Sequence, residues 1–342
     1  MGQRSLAQRP LWLLDDGGAV LGGGQLFALR LARSADRPVV LACPAGSPLA
    51  RAAAAQGTPW VDVPFPAPHP AQAGALRAAA RRLSAVVPAD AAVVSGAIRA
   101  SLVAGLSRIR GPVVHLLHER DSAARPTVRL ALRRSRVLAV GAIGAQTYRA
   151  ALPRARVIAV NNFLARDELA ALAGVRRTRT GGVLGVLARL IPEKGIAELV
   201  DELAAAGGAW TELRVAGARQ DEGYARHIEE RAARAGLADR VTLLGAVDDV
   251  PAYLGAIDTL VVPSTGREGQ PTVILEALAT GAPVVVRRPM MSADFAGLPV
   301  FAYDDPPQLA AALAHRAGAD VADLEARFGV GQVLAAIDEA LV

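Results

Sequence analysis

Glu268 and Glu276 stand eight residues apart in the stretch Arg267-Glu268-Gly269-Gln270-Pro271-Thr272-Val273-Ile274-Leu275-Glu276. Ionised carboxylates only accept hydrogen bonds, so two at this spacing suit the vicinal hydroxyls of a sugar and a ribose. Between them Gly269 to Thr272 open a helix near Pro271, where a missing N–H costs nothing and the remaining N–H groups face an anion. The counterpart lies 74 residues upstream, in Arg189-Leu190-Ile191-Pro192-Glu193-Lys194-Gly195. Lys194 is the sole lysine of the chain; every other fixed cation is arginine. An arginine fork and a lysine point charge five residues apart suit a diphosphate. A third stretch, Leu21-Gly22-Gly23-Gly24-Gln25, follows the first strand and opens a helix, so its backbone can approach a bound anion closely. It is not a dinucleotide fingerprint: the spacing differs, and Ala42-Cys43-Pro44 stands where that motif needs an acidic residue.

These loops need strand ends to carry them. Short apolar runs alternate with alanine-rich amphipathic stretches, which is the pattern of βαβ units and a parallel sheet. In the first half the strands are expected at 11–14, 39–42, 91–94, 113–117, 137–140 and 157–160, with helices at 25–34, 71–86 and 100–108. After a basic connector near 174–182 the series restarts, with strands at 183–187, 212–216, 241–244, 259–262 and 283–286. The expected fold class is α/β, with two Rossmann-like, doubly wound domains in tandem. In such sheets ligands bind outside the carboxyl ends of the strands, where all three loops fall.

Composition sets the limits. At 342 residues the chain exceeds one ordinary core and suits two domains. No apolar run reaches the ~18 to 20 residues of a membrane span, and residues 10–14 are too short for a signal core, so a cytoplasmic protein is expected. The single cysteine, Cys43, follows an apolar strand and reads as a buried structural thiol. No His or Cys cluster has metal-ligand spacing, and the pairs Asp15-Asp16, Asp248-Asp249 and Asp304-Asp305 read as turn and cap residues. Residues 1–165 carry a net charge of +14 and residues 166–342 a net of −8. The densest basic stretch is 128–136, with Arg129, Arg133, Arg134 and Arg136, and no aromatic interleaving marks it for nucleic acid. An anionic acceptor or anionic membrane surface is the partner this half suits.

In order along the chain, Arg189 to Gly195, Leu213-Arg214-Val215-Ala216-Gly217, Asp239 to Gly245, Ile257-Asp258 to Ser264, and Glu268 to Val285 resemble the donor-binding half of the retaining glycosyltransferases of family 4, with their Glu-x7-Glu motif. The first half is similar to the family more loosely, through Gly22 to Gly24, through Val113-Val114-His115-Leu116-Leu117-His118-Glu119, and through Val157 to Phe163. The resemblance implies a GT-B fold whose two domains face each other across a cleft. Residues 1–165 would be the acceptor-binding domain and 166–342 the donor-binding domain, with the last helix, near 333–341, crossing back.

The resemblance further implies a metal-independent hexosyltransferase that needs no cofactor. Its donor would be a UDP- or GDP-linked sugar and its acceptor compact, anionic or lipid-linked. Arg189 and Lys194 would neutralise the donor diphosphate, Glu276 would hold the ribose, and Glu268 the transferred sugar, with Gly269, Gln270, Pro271 and Thr272 beside it. Val247 would lie near the base, with Gly217 also in the donor site. Gly23 and Gly24 would approach the phosphates, and His118, rather than His115, would stand beside the sugar; apart from the resemblance, Glu119 and Asp121 read either as residues that orient acceptor or histidine or as plain surface residues. Arg287-Arg288-Pro289-Met290-Met291-Ser292 departs from the family's glycine-rich turn and is expected to line the cleft. The other reading is a nucleotide-sugar-binding protein that does not transfer, either a 2-epimerase-like enzyme or a silent partner subunit.

Overall fold

The computed structural model describes residues 9–18, 21–178, 181–208, 210–266, 268–316 and 318–342. It divides into two compact units, residues 1–165 with 328–342, and residues 166–327. The first unit holds strands β1 (Leu11–Leu14), β2 (Val39–Cys43), β3 (Trp60–Asp62), β4 (Ala92–Ser95), β5 (Val113–Leu117), β6 (Arg136–Val140) and β7 (Arg156–Val160). All pair in parallel, in the order β3-β2-β1-β4-β5-β6-β7.

Strand β1 shows why these runs read as continuously apolar. Leu11 and Leu13 pack into a core on one face, with Phe27, Val114, Ile337 and Leu341, while Trp12 and Leu14 pack on the other with Leu83 and Val103. A parallel sheet covered on both faces buries every residue of its central strands. The last helix, Val330–Leu341, belongs to this unit: Val333, Ile337 and Leu341 sit in the first core, and Arg37 holds Asp338 at 2.8 Å.

The second unit holds β8 (Val183–Leu187), β9 (Glu212–Ala216), β10 (Val241–Gly245), β11 (Thr259–Val262), β12 (Val284–Arg287) and β13 (Val300–Tyr303). Its parallel order, β10-β9-β8-β11-β12-β13, reverses direction between β8 and β11. That reversal is the switch point where the two flanking loops diverge and leave room for a ligand. The first sheet has its own switch point between β1 and β4. Asp258 anchors the amino edge of the second sheet, where Oδ2 accepts from Gly182 N at 2.8 Å and Val183 N at 2.9 Å.

The strands of the sequence reading are all present, and two more join them at sheet edges: β3 and β13. The arginine stretch 128–136 proves composite. Its first part is the short helix Pro126–Leu132, which buries Val128 and Leu132 and exposes Arg129. Arg136 instead begins β6 and donates to the carbonyls of Leu341 and Val342, each at 3.1 Å, so it ties down the last helix and leaves the basic face.

Candidate functional site

The loop after β8 runs from Ala188 through a 3-10 turn, Pro192–Lys194, to Gly195 and the helix Ile196–Ala206. The loop after β11 runs from Pro263 through Glu268 to the helix Thr272–Ala279. They flank the switch point and touch one another at several places. Thr265 N–H donates to Glu193 O at 3.2 Å. Gly195, at φ +66°, lies so close to Pro263 that a Cβ there would stand 2.3 Å from its carbonyl oxygen. Finally, Lys194 Nζ pairs with Glu268 Oε1.

That pair brings together two residues singled out from sequence. The Lys194 side chain is only 13% exposed, so its charge is held in a largely protein environment where pairing matters more than at the surface. Glu268 Oε2 is buried without a hydrogen bond among the described residues. Such an oxygen retains acceptor capacity for a hydroxyl.

The other candidates fall at varied places. Arg189 is exposed and donates to Gln220 Oε1 at 2.9 Å. Gly217 is pressed on the backbone of the β8 loop: a Cβ there would meet Ala188 O at 1.8 Å, so glycine serves close packing of the loops. Val247 is half-buried beyond the edge strand β10. Gly269 and Gln270 are buried, whereas Pro271, Thr272 and Glu276 are half-buried. Pro271 is the N-cap of its helix and Thr272 the first helical residue, so the helix starts one residue later than expected and Glu276 lies just over one turn inside. Arg267 lies outside the described residues.

From Arg287 to Met290 several side chains make contacts within the second unit. Arg287 turns inward, with Nη2 2.7 Å from Glu202 Oε1 and Nε donating to Pro263 O at 3.1 Å. Arg288 pairs with Asp304 and donates to Gln308, and Met290 is buried. The side chains of Arg287, Arg288 and Met290 are thus occupied by protein.

The first unit has a separate constellation at the carboxyl edge of β1, β4 and β5. Gly23 and Gly24 open the helix Gly23–Ser34, and Gly24 lies against His118, where a Cβ would stand 3.3 Å from Cδ2. His118 sits one residue past β5, edge-on to Phe27 with ring centroids 5.4 Å apart. Its Nε2 is buried without a partner among the described residues, and burial pushes its pKa down to about 4. A neutral imidazole at pH 7 results. His115, inside β5, bonds Ser101 Oγ through Nδ1 at 2.8 Å and belongs to the core. Glu119 is exposed, its carbonyl accepting from Tyr148 Oη at 2.6 Å; the Asp121 side chain lies outside what the structure describes.

Asp15 carries more than the turn role read from sequence. Its Oδ1 accepts from Gly17 N at 2.8 Å and Gln25 Nε2 at 3.0 Å, and Gln25 Oε1 accepts from Gly22 N at 3.0 Å. Because a carboxylate accepts only, it fixes the amide of Gln25 with its oxygen toward the glycine loop. Asp15 is 3% exposed, and burial, offset by those two hydrogen bonds, raises its pKa to about 6. Cys43 is a buried free thiol pushed up to about 11 by the same cause. Asp249 and Asp305 cap helices, as expected. Among the described residues no group of three His, Cys, Asp or Glu side chains could hold a metal, and no helix is long and apolar enough to cross a membrane.

Against this geometry the comparisons with known proteins can be set. Residues 181–317 match the family model described as glycosyl transferases group 1. Over 62 residues the chain is 42% identical to the lipopolysaccharide core biosynthesis mannosyltransferase LpsB of Rhizobium meliloti (strain 1021), covering 18% of this chain and 17% of that protein. Over 109 residues it is 36% identical to the 2-deoxystreptamine glucosyltransferase of Streptomyces kanamyceticus, covering 30% of this chain and 27% of that one. The aligned stretches thus span under a third of either relative.

Among solved structures, HepE of Anabaena in complex with UDP superposes with a TM-score of 0.73 at 19% identity, over 98% of this chain and 99% of that one. HepE with UDP-glucose gives 0.71 at 21%, over 97% and 99%. The apo lipopolysaccharide outer core galactosyltransferase WaaB gives 0.71 at 15%, over 97% and 98%. At these identities the likeness is one of fold, and that fold is GT-B, two Rossmann-like domains with parallel sheets. The part of the chain that is similar to the group 1 glycosyl transferases, residues 181–317, is thus the part that carries the Lys194–Glu268 pair at its switch point.

Proposed function

We propose that this chain is a family 4 glycosyltransferase that moves a sugar from a nucleoside-diphosphate sugar to a compact or lipid-linked acceptor, with retention of anomeric configuration and without a metal. The observation that carries the reading is the Lys194–Glu268 pair. It sets an ammonium and a carboxylate with one unspent buried oxygen side by side, at the switch point of a parallel sheet and ahead of a helix N-terminus. A diphosphate and a sugar hydroxyl are the two halves of the ligand that such a pair fits. Support comes from the two HepE structures, which hold UDP and UDP-glucose, so UDP is the first base to test and GDP the second.

In this reading Lys194 and Arg189 face the diphosphate, and the N–H groups at the start of the helix Thr272–Ala279 add their dipole. These charges are in place before the sugar–phosphate bond breaks, and they stabilise the negative charge that gathers on the leaving group. Glu268 orients the sugar and Glu276 the ribose. The sugar passes through oxocarbenium-like character. The acceptor attacks on the departing face and gives its proton to the donor phosphate. His118, neutral at pH 7, offers Nε2 to a sugar or acceptor hydroxyl without adding charge.

The test is a thermal-shift panel of UDP- and GDP-sugars, followed by measurement of nucleoside diphosphate release with and without candidate acceptors. Binding of one donor and release that requires an acceptor are expected. A donor that binds but is never released as free diphosphate would favour a silent binding subunit, and one converted to an isomeric sugar without acceptor would favour an epimerase. A chain that binds no nucleotide sugar would end the proposal.

A further inference from the structure

Pro263 ends the run of β11, and its carbonyl is the point on which both loops of the switch point rest. From one side Gly195 leaves no room for a Cβ against it; from the other Arg287 Nε donates to it at 3.1 Å. A buried carbonyl with a charged donor is a stronger anchor than one bonded to a neutral N–H.

Arg287 is itself held on several sides. Its Nη2 lies 2.7 Å from Glu202 Oε1, and the two side chains are 19% and 16% exposed. Glu202 belongs to the helix Ile196–Ala206, which begins just after Lys194. Tyr303 Oη, from β13, donates to Glu202 Oε2 at 3.1 Å, and the guanidinium carbon of Arg287 lies 5.7 Å from the centroid of the Tyr303 ring. One side chain therefore connects the end of β12, the end of β11, the helix that follows Lys194, and the edge strand β13. A core of leucine and valine would fill the same space without the cost of desolvating an ion pair.

We propose that Arg287 is a positioning residue of the donor site, which fixes the Pro263 carbonyl so that the loops bearing Lys194 and Glu268 keep their mutual register. The proposal rests on the glycosyltransferase reading for its ligand, but the frame it describes exists without one. Arg287 acts through Pro263 and Glu202 rather than by touching the substrate.

The experiment separates the frame from the fold. In Arg287→Met the buried Glu202 loses its cation, so the melting temperature is expected to fall. In Arg287→Met with Glu202→Gln both charges are gone, and stability is expected to recover, because replacing both members of a buried pair is far less costly than orphaning one. The Pro263 carbonyl still lacks its donor. In the double variant, amide hydrogen exchange at Gly195, Thr265 and Glu268 is therefore expected to quicken by about tenfold or more, while β8 and β9 stay at the wild-type rate. UDP affinity by calorimetry is expected to stay about tenfold weaker than wild type, as for one lost charge-assisted hydrogen bond.

Exchange rates in the stable double variant that match the wild type would overturn the frame, whatever the ligand. Faster exchange with undiminished UDP affinity would overturn the link to donor binding. Should wild-type protein fail to bind either UDP or GDP, the proposed function falls, and exchange alone still decides the role of Arg287.

Discussion

The ammonium of Lys194 reaches Glu268 across the switch point, and a diphosphate entering the same space would draw on the same charge. A compact ammonium on a flexible stem can turn between the two partners; a planar guanidinium needs a fixed bidentate face. Lys194→Ala is accordingly expected to lower kcat/KM for the donor by about two to three orders of magnitude, the scale of a lost transition-state charge contact. Lys194→Arg is expected to recover only part of that loss. Steady-state kinetics with the donor found in the thermal-shift panel decides the matter, and full activity in the arginine variant would remove any special role for lysine. Asp15 gives a second prediction, on stability. Its folded pKa of about 6 lies above the ordinary 3.8, so its contribution is fully present below pH 3.8 and is lost as pH rises through 6. At pH 7.5 the buried charge costs about 2 to 3 kcal/mol by linkage. Asp15→Asn keeps an acceptor for Gly17 and Gln25 without that charge, and should raise the melting temperature relative to wild type at pH 7.5 but not at pH 4. His115 and His118, each lowered to about 4, act in the opposite sense, losing stability as pH falls below 6.5, but they are common to both proteins and cancel in the difference. Equal shifts at both pH values would show that Asp15 carries no such cost.

At the level of elements, what was legible in sequence were the features that depend on near neighbours. Apolar runs such as Val183 to Leu187 gave strands because a covered parallel sheet buries both faces, and the glycines and Pro271 marked the loops that follow them. Trp60–Asp62 and Val300–Tyr303 escaped because three or four residues of edge strand carry too little pattern. Arg287 escaped for another reason: its partners, Glu202 and Pro263, are distant in the chain, and an arginine after an apolar strand looks solvent-bound until the pairing of β11 with β12 turns it inward. Asp15 was read as a turn residue because its acceptance from Gly17 is local, whereas its link to Gln25 needs the helix packed back on β1. The loop contacts make an element-scale prediction at Gly195. A side chain there would have to occupy φ +66° and displace the Pro263 carbonyl, so Gly195→Ala should destabilise the chain by about 1 to 3 kcal/mol. Thermal or denaturant unfolding measures this, and because Lys194 precedes the displaced residue, donor affinity should fall as well. A Gly195→Ala protein with wild-type stability would mean that the close approach to Pro263 is not a tight constraint.

For the whole molecule the unequal division of charge outlives the structural detail. The first unit exposes Arg125, Arg129, Arg133 and Arg134 just before, on and just after one short helix that packs Val128 and Leu132 into its own core. Attachment of this surface to a membrane through its arginines would be electrostatic: each arginine near an anionic bilayer contributes about 1 kcal/mol, within a Debye length of ~10 Å at 0.1 M salt. The expected behaviour follows from that arithmetic. The protein should sediment with vesicles containing about a third phosphatidylglycerol at low salt, not with pure phosphatidylcholine, and should be released as salt approaches ~0.5 M, where screening shortens that range. Reversing three charges, in Arg129→Glu with Arg133→Glu and Arg134→Glu, should abolish sedimentation while leaving melting temperature and donor binding in place, because all three side chains are exposed. Arg136→Ala, by contrast, should lower the melting temperature with little effect on vesicle binding, since its guanidinium holds the carbonyls of Leu341 and Val342. If the triple variant sediments like the wild type, the basic face is not the membrane contact; if neither protein binds at low salt, the charge asymmetry serves a soluble anionic acceptor, and competition by phosphorylated sugars becomes the measurement that follows.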